Sequence, residues 1–252
     1  MKFIPIKTRK FQPPKDDILK ELDKRLPKLR EGDVLFITSK VLAIHQGRCI
    51  KIQDPRHRQG FGGQAKYKNQ LIKKEAEGYL VPPKSAPHPY ILTIKDYVLI
   101  PSAGIDESNG DGYYILWPKN TQRLLKQIWG RLRKKYNLKN FGIVATDSHT
   151  IPLRWGTQGI SIGFYGFKPL QDFRGQKDLF GRKLKVTQAN IVDALSAVAV
   201  LRMGEGNEQT PFLILRGASF IKFTDRDLYK KLVIDPKEDL YAPLFKQFRR
   251  RR

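Results

Sequence analysis

Three short and almost wholly apolar runs constrain the fold more than any other feature of this sequence. They are VLFIT (34–38), FGIVAT (141–146) and PFLILRG (211–217). Runs of this length, rich in Val, Ile, Leu and Phe, are typical of buried strands. A glycine-rich run, GISIGFYGF (159–167), also has strand character. The chain is therefore predicted to build a buried sheet.

Amphipathic segments separate these strands. Pro27 is expected to end the first predicted helix, Thr187 to cap the last, and Gly204 to stop that last helix. Residues 90–100 are predicted to form a hairpin, and 82–89 an extended, proline-rich connector. The four segments predicted as helices are 16–26, 68–80, 121–136 and 188–203. Strands mixed with amphipathic helices indicate an α+β or mixed α/β fold.

The charge of the chain narrows the class of partner. Lys and Arg number 48 against 24 Asp and Glu, which gives a net charge of +24, while the hydrophobic fraction of 40% is ordinary for a folded protein. The excess charge is therefore expected on a folded surface, where it would attract nucleic acid, an anionic membrane or small polyanions. A single cysteine, Cys49, excludes an intramolecular disulfide, and no apolar run is long enough to span a bilayer. We expect a cytoplasmic protein without a membrane partner.

Acidic and polar residues in three segments are candidates for a metal–phosphate site. Asp106 and Asn109 lie in AGIDESNGDG (103–112), Asp147 and Ser148 follow a predicted strand, and MGEGNEQTP (203–211) follows the last predicted helix. Mg²⁺ bound to phosphates takes one or two carboxylates as ligands, and glycines allow backbone amides to approach a ligand closely. Simpler interpretations remain open, because Asn-Gly and Asp-Gly are strong turn signals, Asp147-Ser148 is also a plausible turn cap, and 203–211 is also typical of a helix C-cap. Neither GxxxxGK[ST] nor GxGxxG after a strand is present.

Several segments, taken in order, resemble one enzyme family. GDVLFITSK, AGIDESN, TDS, DFRGQKDLFGRKLKVTQANIVDALSAVAVLRMGEG and ILRG are similar to the coenzyme F420:L-glutamate ligase family, the gamma-glutamyl ligases of deazaflavin biosynthesis. The resemblance covers most of residues 1–220. It implies a ligase-like domain over 1–220, with a basic loop inserted at about 54–66, and a charged C-terminal extension over 221–252.

The resemblance also implies an activity and an assembly. A GTP-dependent amide ligase with its own mixed fold, acting as an intertwined homodimer, would transfer the γ-phosphoryl group of GTP to a substrate carboxylate. The amine of L-glutamate would then attack the acyl phosphate. Mg²⁺ or Mn²⁺ would assist, with K⁺ as a further candidate cation and GTP or ATP as the co-substrate.

Motif positions carry the family's binding residues onto this chain. The positions matched to metal ligands are Asp106, Asp147, Ser148 and Glu205. The positions matched to nucleotide contacts are Arg9, Lys10, Phe11, Gln12, Ser39, Lys40, Asn109, Gly204, Gly206 and Gln209. No catalytic side chain is assigned.

Two departures from the family pattern bear on the substrate. His149 to Arg154 replaces a GRPWR-like segment, and Ile44 stands where many members have lysine. The acceptor is therefore expected to be F420-0 or a folate or other pterin-like carboxylate. The alternative from another class is a nucleic-acid-binding protein on a catalytically retired ligase scaffold. That alternative rests on the net charge, the basic helix at 121–136 and the arginine tail, although no known nucleic-acid-binding module is present.

Overall fold

The computed structural model describes residues 1–52, 64–83, 85, 86, 88 and 90–250, with the backbone alone for 64–66. Its strands are Lys2–Ile6 (β1), Asp33–Thr38 (β2), Cys49–Lys51 (β3), Gly78–Leu80 (β4), Leu92–Lys95 (β5), Val98–Pro101 (β6), Tyr113–Ile115 (β7), Phe141–Thr150 (β8), Thr157–Tyr165 (β9), Leu170–Asp172 (β10), Gln188–Asn190 (β11), Phe212–Arg216 (β12) and Arg249–Arg250 (β13). Its α-helices are Ile18–Arg25 (α1), Ser39–His45 (α2), Gln64–Glu75 (α3), Thr121–Tyr136 (α4), Ile191–Met203 (α5), Tyr229–Leu232 (α6) and Ala242–Phe245 (α7). The mixed α+β class predicted from the sequence is confirmed.

A five-stranded sheet in the order β1-β12-β2-β8-β9 forms the centre of the molecule. β2 and β8 are parallel, with Thr38 opposite Thr146, and the other pairs are antiparallel. Successive residues of β2 enter two different cores, because side chains alternate across a strand. Leu35 packs in the core that includes α1 and α4, and Phe36 packs in the core that includes α5. Helices on both faces explain why the three apolar runs carry no polar side.

A smaller sheet in the order β13-β4-β5-β6 lies beside the first. α3 contributes Leu71 and Ile72 to the core under it. Its outer strand, β13, comes from the C-terminal segment and pairs antiparallel with β4. The last part of the chain therefore belongs to the smaller sheet. Two further strand pairs, β3-β7 and β10-β11, complete the architecture of the described residues.

Two helix predictions need correction. The helix predicted over 68–80 is α3 followed by strand β4, since Gly78 pairs with Ile94 in the smaller sheet. Thr187 does not cap α5. Asn190 does, accepting a hydrogen bond from the Asp193 amide. The residues between them form β11, so tertiary strand pairing overrides the helical pattern there.

The strand ends near the candidate site also differ from the prediction. Ser39 and Lys40 begin a short helix, α2, which the sequence reading missed. β8 does not end at Asp147; it runs to Thr150, with a register shift between Ala145 and Thr146. The long antiparallel partner β9 supplies hydrogen bonds to the polar half of β8, and local composition does not reveal such a partner.

Some predictions fall on residues outside the described ranges. Residues 54–63 of the predicted basic loop are among them, as are positions 84, 87 and 89 of the connector. Within the described part of the chain, every helix is too short or too polar to cross a bilayer.

Candidate active site

A cavity of about 600 Å³ lies at the carboxyl end of β2, where α2 begins, and beside the polar half of β8. Five segments of the chain meet there, and all fourteen residues singled out from the sequence line it. The full lining is Thr8, Arg9, Lys10, Phe11, Gln12, Thr38, Ser39, Lys40, Val41, Ile44, Asp106, Asn109, Asp111, Thr146, Asp147, Ser148, Val200, Met203, Gly204, Glu205, Gly206, Asn207, Glu208, Gln209, Thr210 and Pro211. The fold therefore gathers the candidates at one place, although 200 residues separate Arg9 from Gln209.

The parallel pairing of β2 with β8 brings two of these segments together. Carboxyl ends of parallel strands meet at one edge of a sheet, and the crevice outside them is a common ligand site. Here that edge places Ser39 beside Asp147, where the Ser39 side chain lowers the pKa of the Asp147 carboxyl. The Ser148 amide donates to the same carboxylate at 2.7 Å. Asp147 is therefore held in a fixed position at the floor of the cavity.

The electrostatic setting of Asp147 is unusual for a carboxyl group. Burial, the largest cause, and the nearby Asp106 carboxylate together raise its pKa to about 7. The bonds from Ser148 and Ser39 and the charge of Lys40 act against this rise without cancelling it. Two carboxylates that line the same cavity would each be stabilised by a cation bound near both of them.

Asp106 belongs to the acidic turn and is paired with a lysine. Lys40 donates to Asp106 at 2.7 Å, to the Ser108 carbonyl at 2.8 Å and to the Ser108 hydroxyl at 3.0 Å. Burial alone would raise the pKa of Asp106, but the Lys40 ammonium and the bonds from Ser108 outweigh it, and the pKa lies below its usual value. Asn109 and Asp111 have positive φ angles of 54° and 47°. The segment is therefore a tight turn that also presents acids to the cavity.

The loop after α5 forms the opposite wall. A Cβ on Gly204 would lie 2.3 Å from the Glu208 side chain, and φ is 84° there, so glycine is required. Glu208 turns back into the loop and accepts from the Gly206 amide at 2.9 Å. Glu205 instead accepts from the Ser148 hydroxyl at 2.6 Å. Ser148 and Glu205, both predicted metal ligands, are thus in direct contact.

Two hydrogen bonds fasten this loop to neighbouring walls. The Thr8 amide donates to the Gln209 carbonyl at 2.8 Å, and the Asn109 side chain donates to the Gly206 carbonyl at 2.9 Å. The acidic turn and the post-helix loop are therefore joined across the cavity mouth.

The N-terminal wall is stiffened by ion pairs around the exposed Arg9. Arg9 donates to Asp16 through two nitrogens, at 2.6 and 2.7 Å, and also pairs with Glu21 at 3.4 Å. The Arg9 guanidinium lowers the pKa of Asp16 to about 2. Phe11 packs edge-on against Phe212, with ring centroids 6.0 Å apart. This wall therefore combines an apolar ring with a guanidinium already held by acids.

Several lining residues were missed from the sequence. Thr38 and Thr146 flank the site, and each is the polar residue at the end of a predicted apolar run, VLFIT or FGIVAT, which is a signal that could have found them. Ile44, the departure from the family pattern, is 2% exposed and lines the cavity from α2. The other departure, His149 to Arg154, lies at the β8–β9 hairpin and is not part of the lining.

The donor set decides what kind of metal the cavity suits. Among the described residues, no three His, Cys, Asp or Glu side chains cluster as a closed metal cage. Two carboxylates and a hydroxyl near a phosphate-sized space match instead the coordination of Mg²⁺, which keeps water and phosphate oxygens among its ligands. The site therefore suits a metal that arrives with a phosphorylated ligand.

Comparisons with known proteins agree on one family. The F420-0:gamma-glutamyl ligase family model matches residues 6–217. A coenzyme F420:L-glutamate ligase of Methanopyrus kandleri is 31% identical over 243 residues, covering 92% of this chain and 94% of that protein. Its counterpart in Methanocaldococcus jannaschii is 32% identical over 230 residues, covering 88% of each chain. The corresponding ligase of Archaeoglobus fulgidus is 30% identical over 211 residues, covering 80% and 82%. The chain therefore belongs to the F420-0:gamma-glutamyl ligase family.

Proposed function

We propose that this protein is a GTP-dependent gamma-glutamyl ligase, which joins L-glutamate to a small carboxylate acceptor through an amide bond. The observation that carries the proposal is the single cavity lined by all fourteen residues matched to the family's metal and nucleotide positions. Family membership supports the reaction type. In the reaction, an acceptor carboxylate oxygen bonds to the γ-phosphorus of GTP as GDP leaves. The glutamate nitrogen then bonds to the acyl carbon, loses a proton, and phosphate leaves.

The residues of the cavity divide into two groups in this proposal. Asp106, Asp147, Ser148 and Glu205 would hold Mg²⁺ or Mn²⁺, and K⁺ is a further candidate. When bound, the metal supplies positive charge that neutralises phosphate oxygens during phosphoryl transfer. Asp106 and Asp147 line the same cavity, and burial together with the Asp106 carboxylate raises the pKa of Asp147 to about 7, which favours binding of a cation near both groups.

The nucleotide would lie between the N-terminal wall and the post-helix loop. Phe11 offers an apolar ring to a base, and Gly204 and Gly206 let a ligand approach the backbone of the post-helix loop without meeting a side chain of their own. Lys40 lies in the first turn of α2, where its ammonium reaches Asp106 of the acidic turn and would reach a phosphate. Arg9, Lys10, Gln12, Ser39, Asn109 and Gln209 complete the proposed nucleotide contacts. GTP is preferred over ATP by family resemblance.

The acceptor is F420-0 or a folate or other pterin-like carboxylate. Ile44 places a buried apolar side chain in the lining where many members have a charged one. That exchange removes a cation from the cavity, and we expect it to shift acceptor choice away from the most anionic candidates.

The working form is proposed to be a homodimer. Three neighbouring features expose large apolar side chains: the β8–β9 hairpin tip, the arm at 173–187 between β10 and β11, and the outer face of α5. Their exposed fractions run from 80% to 97% at Leu153, Trp155, Leu179, Phe180, Val186 and Leu201. Large apolar side chains exposed to this extent are typical of a protein interface. A second copy of the chain is the partner implied by the resemblance.

Glutamate-dependent turnover tests the proposal. Purified protein would be incubated with GTP, Mn²⁺, L-glutamate and either F420-0 or a folate, and products read by mass spectrometry and GDP release. We expect a product heavier by one glutamyl residue with one of the acceptors, and loss of at least ~100-fold in rate for Asp106→Asn or Asp147→Asn. Asp235→Asn, a surface acid outside the cavity, is the matched control. Parent-like rates in the two cavity variants would refute the site, and GDP release that ignores glutamate would refute the ligase.

A further inference from the structure

α4 carries a one-sided cationic face that the cavity does not use. Its 16 residues, TQRLLKQIWGRLRKKY, contain six Lys or Arg and no acid. Leu125, Ile128 and Leu132 pack into the core, so the basic residues point outward. None of the helix lines the cavity. The face therefore needs an explanation separate from the proposed ligase activity.

Some of the Lys and Arg side chains of α4 pair with a carboxylate, and others do not. Arg131 and Lys135 both pair with Asp23, at 2.5 and 2.6 Å. Arg123, Lys126 and Lys134 are exposed, and no carboxylate within the described residues pairs with them. Lys126 lies over the Tyr165 ring, with its ammonium 5.8 Å from the ring centroid. The three cations without a carboxylate partner span about 16 Å along the helix axis.

A glycine sits at the centre of these cations. Gly130 is four residues from Lys126 and four from Lys134, so the three lie on one helical ridge. A Cβ at Gly130 would have no atom within 4 Å, and its φ is not in the left-handed region. Glycine is among the poorest helix formers, and neither packing nor backbone geometry in this chain requires it there. A close approach of something outside the chain would require it.

We propose that the ridge Arg123–Lys126–Gly130–Lys134 binds the phosphate backbone of double-stranded nucleic acid, with a phosphate group passing over Gly130. A duplex presents one negative charge per about 1.7 Å of its axis, so a 16 Å ridge meets several phosphates. No aromatic ring and no large apolar side chain is exposed between residues 117 and 140. That surface lacks the stacking platform of single-strand binders and the apolar face of a membrane-surface helix. Contact with a second copy of the same face would place like charges together.

The test is fluorescence anisotropy of the full chain with a labelled 20-base-pair RNA duplex, and separately with a DNA duplex, across a salt series. We expect binding whose logarithm falls linearly with the logarithm of salt concentration. Lys126→Glu/Lys134→Glu should weaken it about tenfold or more and reduce the salt slope by about two. Lys230→Glu/Lys231→Glu makes the same charge change on α6 and should have a much smaller effect. Tighter binding of one duplex would identify RNA or DNA as the source of the backbone.

Gly130→Ala separates close approach from charge alone. It leaves the net charge unchanged and replaces glycine by a better helix former, so we expect an equal or higher Tm together with several-fold weaker duplex binding. Parent-like binding by this variant would overturn the placement over Gly130. Parent-like binding by Lys126→Glu/Lys134→Glu, an equal loss in the α6 control, or binding only to anionic vesicles would overturn the whole proposal.

Discussion

At the scale of single residues, Asp147 is a site residue whose ionised carboxylate lowers the stability of the folded protein. Its carboxyl is buried beside a second acid, so the charged form is disfavoured in the folded protein. An unfolded aspartate has a pKa of about 3.9. Between that value and about 7 the folded state therefore binds more protons than the unfolded state, and the Asp147 contribution to stability falls as pH rises through this window.

Asp147→Asn should therefore stabilise the metal-free protein. We expect a gain of roughly 2 kcal/mol above pH 7 that shrinks to nothing near pH 4, because the amide mimics the protonated acid. Thermal unfolding across that pH range measures it.

Asp16→Asn should change the stability of the folded protein in the opposite direction. The Arg9 bonds lower the pKa of Asp16 to about 2, so its contribution is present above pH 4 and lost as pH falls toward 2. We expect this variant to be less stable than the parent at pH 7 and equal to it near pH 2. A pH-independent change in both variants would mean that these carboxyl groups do not titrate as described.

At the scale of secondary-structure elements, the sequence predicts which segments form strands better than it predicts where strands and helices begin and end. The buried runs in β2, β8 and β12 are confirmed because apolar composition over a few residues is a local property. α4 is confirmed over 121–136 because its apolar stripe repeats at helical spacing. The predicted start of α5 was wrong because the residues before it form β11, which pairs with β10. That partner is 18 residues away, and local periodicity does not reveal it.

The same contrast gives a prediction about capping. Asn190→Ala removes the side-chain acceptor of the Asp193 amide and should cost about 1 kcal/mol of unfolding free energy. Thr187→Ala, at the position first expected to cap the helix, should change stability little. Chemical denaturation of the two variants compares them, and a larger loss at Thr187 would restore the sequence-based boundary.

Local sequence patterns also could not predict how the candidate site is assembled, because its residues are far apart in the chain. Acids flanked by glycine could be singled out one segment at a time. Their meeting depends on the parallel pairing of β2 with β8 and on the Asn109–Gly206 bond. Local sequence patterns do not reveal strand order or long-range pairing of this kind. The family resemblance, and not those patterns, grouped the candidate site residues. Thr38, Thr146 and α2 were missed for that reason.

At the scale of the whole molecule, the apolar surface around the arm is expected to be covered. A monomer that exposes Leu179 and Phe180 at 97% and 95% would be prone to association through them. Leu179→Asp/Phe180→Asp should convert the proposed homodimer to a folded monomer, as read by sedimentation velocity and circular dichroism. Leu240→Asp, at an apolar side chain that is 86% exposed outside the three features, should leave the mass unchanged. A monomeric parent protein at micromolar concentration would contradict the dimer.

The cavity is proposed to bind a nucleotide together with a metal. Isothermal titration of the purified protein with GTP, with and without Mn²⁺, and repeated on Asp147→Asn, measures this binding. We predict saturable GTP binding that requires Mn²⁺ and is weakened at least ~10-fold in the variant, although the variant is the more stable protein without metal. GTP binding that ignores Mn²⁺ and the substitution, or no binding of GTP or ATP under any of these conditions, would contradict the claim.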